Sequence, residues 1–174
     1  MSYNIVLLDT DLQHANLIKD HLKKYSEYSI HVFTDAESCV AQLKELKPAV
    51  IFMDAELKHD PKTMQIETEL LFHLKELSPN SEIILYSGEA KLELMLDKVR
   101  QGVHGFAIKS TNTTAKAEML LLSAIRHYKK NKEARFYKKL TILLIIALIA
   151  VIVFGVVAYK YKLVKDDIES PFDV

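Results

Sequence analysis

Residues 49–57 read Ala-Val-Ile-Phe-Met-Asp-Ala-Glu-Leu, and this stretch decides the fold. Ala49 to Met53 is an apolar run with no polar alternation, which predicts a strand buried on both faces; a strand with one wet face alternates. Pro48, just before it, ends a helix in which Val40, Leu43 and Leu46 recur at helical spacing. That helix opens on Thr34-Asp-Ala-Glu37, which fits a capping box. On the other side, Met64 to Leu77 reads as a helix stopped by Ser78-Pro79-Asn80.

The same alternation extends in both directions. Tyr3–Leu8 reads as a first strand, with Ala15, Ile18, Leu22 and Tyr25 at helical spacing behind it. Ile30–Phe33 is a second strand, Glu82–Tyr86 a fourth and Phe106–Ile108 a short fifth. Lys91 to Arg100 is a helix closed by Gly102, and Ala117, Leu120, Leu121, Ala124, Ile125 and Tyr128 form the apolar stripe of a last one. Successive strand–helix units predict an α/β fold: a five-stranded parallel, doubly wound sheet of flavodoxin-like type.

In such sheets function collects at the carboxyl ends of the strands. That rule selects Asp9, Asp11, Asp54, Ser87 and Lys109. Carboxylates converging at one edge repel one another, and a hard divalent cation such as Mg2+ relieves this with oxygen ligands. A lysine neutralises further charge, and a hydroxyl can hydrogen-bond a phosphoryl oxygen, so the set suits phosphoryl transfer to a carboxylate. Taken singly, an aspartate at a strand end is an ordinary turn or cap residue. The joint occurrence on four strand ends carries the reading.

With these residues in place, the chain from Tyr3 to Tyr128 resembles the receiver domain of two-component response regulators, the CheY-like family. The pieces that carry the resemblance are IVLLDTD (5–11), AVIFMDAEL (49–57), EIILYSGEA (82–90) and GFAIKS (105–110). The resemblance implies that Asp54 accepts phosphate from a histidine kinase or phosphotransfer protein. It implies Mg2+ held by Asp9, Asp54 and the backbone carbonyl of Glu56, with Asp11 as a further candidate ligand. Ser87 would contact the phosphoryl group, Lys109 would pair with it, and Phe106 would be the aromatic that turns inward on activation. Three departures stand out. Thr10 replaces the second acid after the first strand, the loop after Asp54 reads Ala-Glu-Leu-Lys-His-Asp-Pro, and Ser110 rather than proline follows Lys109.

Leu140 to Tyr159 (LTILLIIALIAVIVFGVVAY) carries no charge over 20 residues. As a helix it would cover about 30 Å, the thickness of a bilayer's hydrocarbon. About 140 residues precede it, which sets aside a signal peptide. Arg126 to Lys139 holds seven Lys and Arg against Glu133 alone, so this flank is expected to face the cytoplasm and anionic lipid. The predicted organisation is a receiver at 1–128, a basic juxtamembrane segment at 129–139, a transmembrane helix at 140–159 and a short polar tail at 160–174. The receiver would be cytoplasmic and the C-terminus outside a single-pass cell-membrane protein. From Thr113 to Phe154 there is neither glycine nor proline, so the last receiver helix is expected to run on into the span.

The formal net charge is zero, but residues 1–125 carry a net −5 and residues 126–174 a net +5. The basic run beside a span points to lipid rather than nucleic acid. One cysteine, Cys39, excludes an internal disulfide and a cysteine-rich zinc site. Four scattered glycines form no phosphate-cradling loop, which argues against the usual nucleotide-binding enzymes; the resemblance implies a phospho-acceptor signalling domain with no independent catalytic activity expected. The seven histidines are dispersed without metal-ligand spacing. No stretch after the module is long enough for an effector domain, so output is expected through contact with an unknown downstream protein. The alternative reading is a phosphorylation-independent pseudo-receiver acting as a membrane scaffold or adaptor; a membrane-bound flavodoxin-like enzyme is a third.

Overall fold

Successive side chains of each strand point to opposite faces, which sorts the core onto two sides of one sheet. A computed structural model of the chain describes residues 2–55, 57, 66–88, 102–110 and 112–169. The strands are β1 (Tyr3–Leu8), β2 (Tyr28–Phe33), β3 (Val50–Asp54), β4 (Glu82–Ser87) and β5 (Gly105–Ile108). The helices are α1 (Leu12–Leu22), α2 (Ala36–Leu46), α3 (Ile66–Leu77) and α4 (Thr113–Glu169). The strands lie in the order β2-β1-β3-β4-β5 and every pair is parallel.

Ile5, Leu7, Val50, Phe52, Ile84 and Tyr86 point to one face, where they meet Ile18 and Leu22 of α1 and Leu121, Ala124 and Ile125 of α4. Val6, Leu8, Ile51, Met53, Ile83 and Leu85 point to the other, against Cys39 and Leu43 of α2 and Leu71 and Leu74 of α3. The sheet is therefore doubly wound. Each fully buried Leu or Ile stabilises it by about 1.5–3 kcal/mol.

Local chemistry sets the helix ends. Asp11 caps α1, its Oδ1 accepting from the amides of Gln13 at 2.9 Å and His14 at 3.1 Å. Asp35, not Thr34, caps α2: its carboxylate takes the Ser38 amide at 2.7 Å, moving the expected cap by one residue. α2 ends with Lys47 at φ 45°, directly before Pro48. Gly102 sits at φ 87°, a conformation that side chains rarely adopt, and its carbonyl accepts from Lys75. The predicted helix from Lys91 to Arg100 lies outside the described residues.

The chain divides into two units, Met1–Lys130 and Asn131–Val174. The described residues of the second, up to Glu169, belong to α4, and their apolar side chains from Leu140 to Val157 are exposed. An 18-residue window of this helix has a mean hydropathy of 3.3 and none of it is buried. It is long and apolar enough to cross a membrane.

Candidate functional site

β1 and β3 are neighbours whose crossovers leave on opposite faces, and their carboxyl ends flank the switch point where such sheets bind ligands. Backbone bonds carry the ladder one residue past the strands. Asp9 N–H donates to Phe33 at 3.0 Å, Ala55 to Tyr86 at 2.6 Å and Lys109 to Ser87 at 2.7 Å. Asp9, Asp54, Ser87 and Lys109 are thereby held along one edge, and the first three are each only 3% exposed.

The Lys109 ammonium bridges the two acids, donating to Asp54 Oδ2 at 2.8 Å and to Asp9 Oδ1 at 3.1 Å. Burial alone would lower the Lys109 pKa, but its hydrogen bonds and attraction to Asp54 and Asp9 outweigh this and raise it. Burial alone would raise that of Asp9. Hydrogen bonds from His14, the Asp11 amide and Lys109 outweigh this, and the carboxyl titrates below its ordinary value.

His14 is the member of this edge that the sequence did not single out. Its Nδ1 lies 2.5 Å from Asp9 Oδ2. Its ring meets that of Tyr86 edge-on at 5.5 Å, and Tyr86 in turn stacks on Phe52 at 5.4 Å. Burial, then the nearby Asp9 charge, drives the Tyr86 hydroxyl pKa up. The available signal was position: His14 lies in the first turn of the helix that Asp11 opens, five residues after Asp9.

Asp11 does not join the cluster, because its carboxylate caps α1 and faces solvent. Thr10 is exposed and lines a cavity of about 130 Å³ with Thr34, Asp35 and Leu57. Phe106 is half-buried against the core of the α2/α3 face. Glu56 lies outside the described residues.

Chemically, two buried carboxylates share one ammonium, which leaves excess negative charge in a low-dielectric pocket. The converging groups are carboxylate oxygens, the donors a hard ion such as Mg2+ takes. The donor set therefore fits that ion, and Asp9 itself accepts three hydrogen bonds.

The sequence matches the model of the response regulator receiver domain over residues 5–120. It is 23% identical over 141 residues to the nitrogen assimilation regulatory protein NtrX of Azorhizobium caulinodans, covering 81% of this chain and 30% of that protein. The chain thus spans about a third of that relative's length. Among solved structures, the signal receiver domain of a putative LuxO repressor protein from Vibrio parahaemolyticus superposes with a TM-score of 0.67 at 15% identity, covering 77% of this chain and 98% of that one. A CheY-like receiver domain protein from Methanospirillum hungatei gives 0.63 at 20% identity, with 75% and 99% covered. At these identities the superpositions speak for the fold.

Proposed function

The chain belongs to the response regulator receiver family, and from that premise we propose that it is a membrane-anchored receiver phosphorylated on Asp54. The observation that carries this reading is the buried Asp54 carboxylate held 2.8 Å from Lys109 beside Asp9. Asp54 would attack the phosphorus of a phosphohistidine on a kinase or phosphotransfer protein. The O–P bond of an acyl phosphate forms, the P–N bond breaks, and the imidazole leaves with the electron pair. Mg2+, held by Asp9, Asp54 and the Glu56 carbonyl, would offset negative charge on the phosphoryl oxygens. Lys109 would pair with one of those oxygens and Ser87 would hydrogen-bond another. These pulls on β4 and β5 would shift the face around Phe106 between two states, read by a downstream protein.

Leu140 to Tyr159 would cross the membrane once. Arg126 to Lys139 would lie against anionic lipid on the cytoplasmic side, with the receiver in the cytoplasm and the C-terminus outside.

A second reading, a scaffold that never carries phosphate, is favoured by Thr10 in an acidic position and by the three donors already on Asp9. Incubation of the full chain in detergent with acetyl phosphate and Mg2+ separates the two. A mass gain of one phosphoryl group, absent in Asp54→Ala, supports the receiver. No gain in the wild type, with gain restored by Thr10→Asp, supports the scaffold.

A further inference from the structure

At the opposite, amino edge of the sheet, three residues far apart in sequence converge. Glu82 opens β4, His104 directly precedes β5, and His127 lies on α4. One ligand atom from each can be chosen so that all lie within 4.8 Å of one another. Glu82 Oε2 is 3.3 Å from His104 Nδ1, and Glu82 Oε1 is 2.8 Å from His127 Nδ1. The two imidazole rings are 5.6 Å apart between centroids. Around an ion with bonds of about 2.0–2.1 Å, tetrahedral ligand atoms sit about 3.3 Å from one another. The Glu82–His104 separation matches that value, and with all three ligand atoms within 4.8 Å of one another only small side-chain rotations are needed to reach it.

The support for these side chains is rigid where a metal site needs it. The Glu82 amide donates to Ala49 at 3.0 Å and the His104 amide to Ile83 at 2.8 Å, which fixes both backbones on the sheet. His104 Nε2 is 3.1 Å from Ser123 Oγ, so its outer nitrogen is engaged while Nδ1 faces Glu82. Outer-shell partners of this kind orient ligating histidines. Ser123 and His127 are four residues apart on α4 and share one face, so the helix presents the orienting hydroxyl and the third ligand together. His127 is exposed, which leaves one side of the cluster accessible to an incoming ion.

We infer that Glu82, His104 and His127 form a binding site for a divalent ion of the zinc class. Two imidazoles and one carboxylate are the donors such ions take, and three protein ligands leave a fourth position for water. A hard ion such as Mg2+ would favour the all-oxygen edge at the other end of the strands. Binding would clamp α4 at His127 to the amino ends of β4 and β5.

The test uses the full chain, without a polyhistidine tag, stripped of metal in detergent. Zinc is titrated against a chromophoric chelator, and Co2+ is added separately for its visible spectrum. We expect one equivalent of Zn2+ and intense four-coordinate Co2+ bands. Both should be lost in His127→Ala, a fold-safe change at an exposed position, and in Glu82→Gln, with circular dichroism confirming the fold. Ser123→Ala should weaken binding about tenfold. Asp9→Asn with Asp54→Asn should retain the equivalent. No zinc uptake by the folded chain overturns the inference, as does zinc that survives both His127→Ala and Glu82→Gln or is lost in the Asp9/Asp54 variant. In either case the cluster is a network of hydrogen bonds and ion pairs only.

Discussion

His14 Nδ1 stands 2.5 Å from Asp9 Oδ2, on a carboxylate whose other oxygen accepts from the Asp11 amide at 2.9 Å and from Lys109 at 3.1 Å. Among the described residues, Oδ2 carries only the His14 contact, so a cation approaching Asp9 competes with His14 for that oxygen. His14→Ala removes the Oδ2 contact. The metal-free protein should lose about 1–3 kcal/mol, the usual cost of unpairing a buried polar group. Mg2+ should bind more tightly, read from tyrosine fluorescence during titration, since the chain has no tryptophan. Weaker Mg2+ binding in the variant would show that His14 assists the ion rather than competing with it.

The two ends of the pH scale should act on different members of the same cluster. Asp9 titrates below its ordinary value of 3.8 in the fold. Its contribution is present above that value and disappears as pH falls through the lower folded pKa. Lys109 titrates above its ordinary value of 10.5. Its contribution is complete below 10.5 and is lost as pH rises through the higher folded pKa. Urea midpoints followed by near-ultraviolet circular dichroism should drop at both extremes. Lys109→Met leaves two buried carboxylates without their shared cation and should cost about 3–5 kcal/mol near neutrality.

Cys39 is fully buried against the core of α2, and burial pushes its thiol pKa up to about 12. Alkylation requires thiolate. Iodoacetamide at pH 8 should label the native chain slowly and the urea-unfolded chain to one equivalent. Rapid native labelling would show that α2 opens readily.

Glu118 ties α4 to the end of α1. It accepts from Lys24 at 2.7 Å and Tyr25 at 2.5 Å, and lies 2.6 Å from His21 Nε2. These hydrogen bonds, that of Lys24 foremost, lower its pKa to about 2. Its stabilising effect is therefore present above the ordinary value of 4.5 and fades as pH falls towards 2. Glu118→Gln should lower the unfolding midpoint at pH 7 and leave little difference from wild type at pH 2. An unchanged midpoint at pH 7 would mean these exposed contacts add nothing measurable.

Much of the fold was legible in the sequence. A strand such as Val50–Asp54 is buried on both faces, so its apolar run announces it whatever its neighbours are. Asp9, Asp54 and Lys109 could be picked out because each follows or ends such a run, where parallel sheets place their chemistry. Less was legible wherever a short-range signal had two solutions. Thr34 and Asp35 are both good caps, and only the backbone turn chose Asp35. The order β2-β1-β3-β4-β5 is also not written in any one segment.

The one-dimensional pattern alone determined the strand–helix alternation, the acidic and basic strand ends, and the uncharged run from Leu140 to Tyr159, because burial periodicity and hydropathy are local properties. Only the tertiary structure decided that His14 reaches Asp9 and that Glu82, His104 and His127 meet across 46 residues of chain. Parallel register and helix docking set those contacts, and they bring together side chains whose separation along the backbone carries no trace of their distance in space.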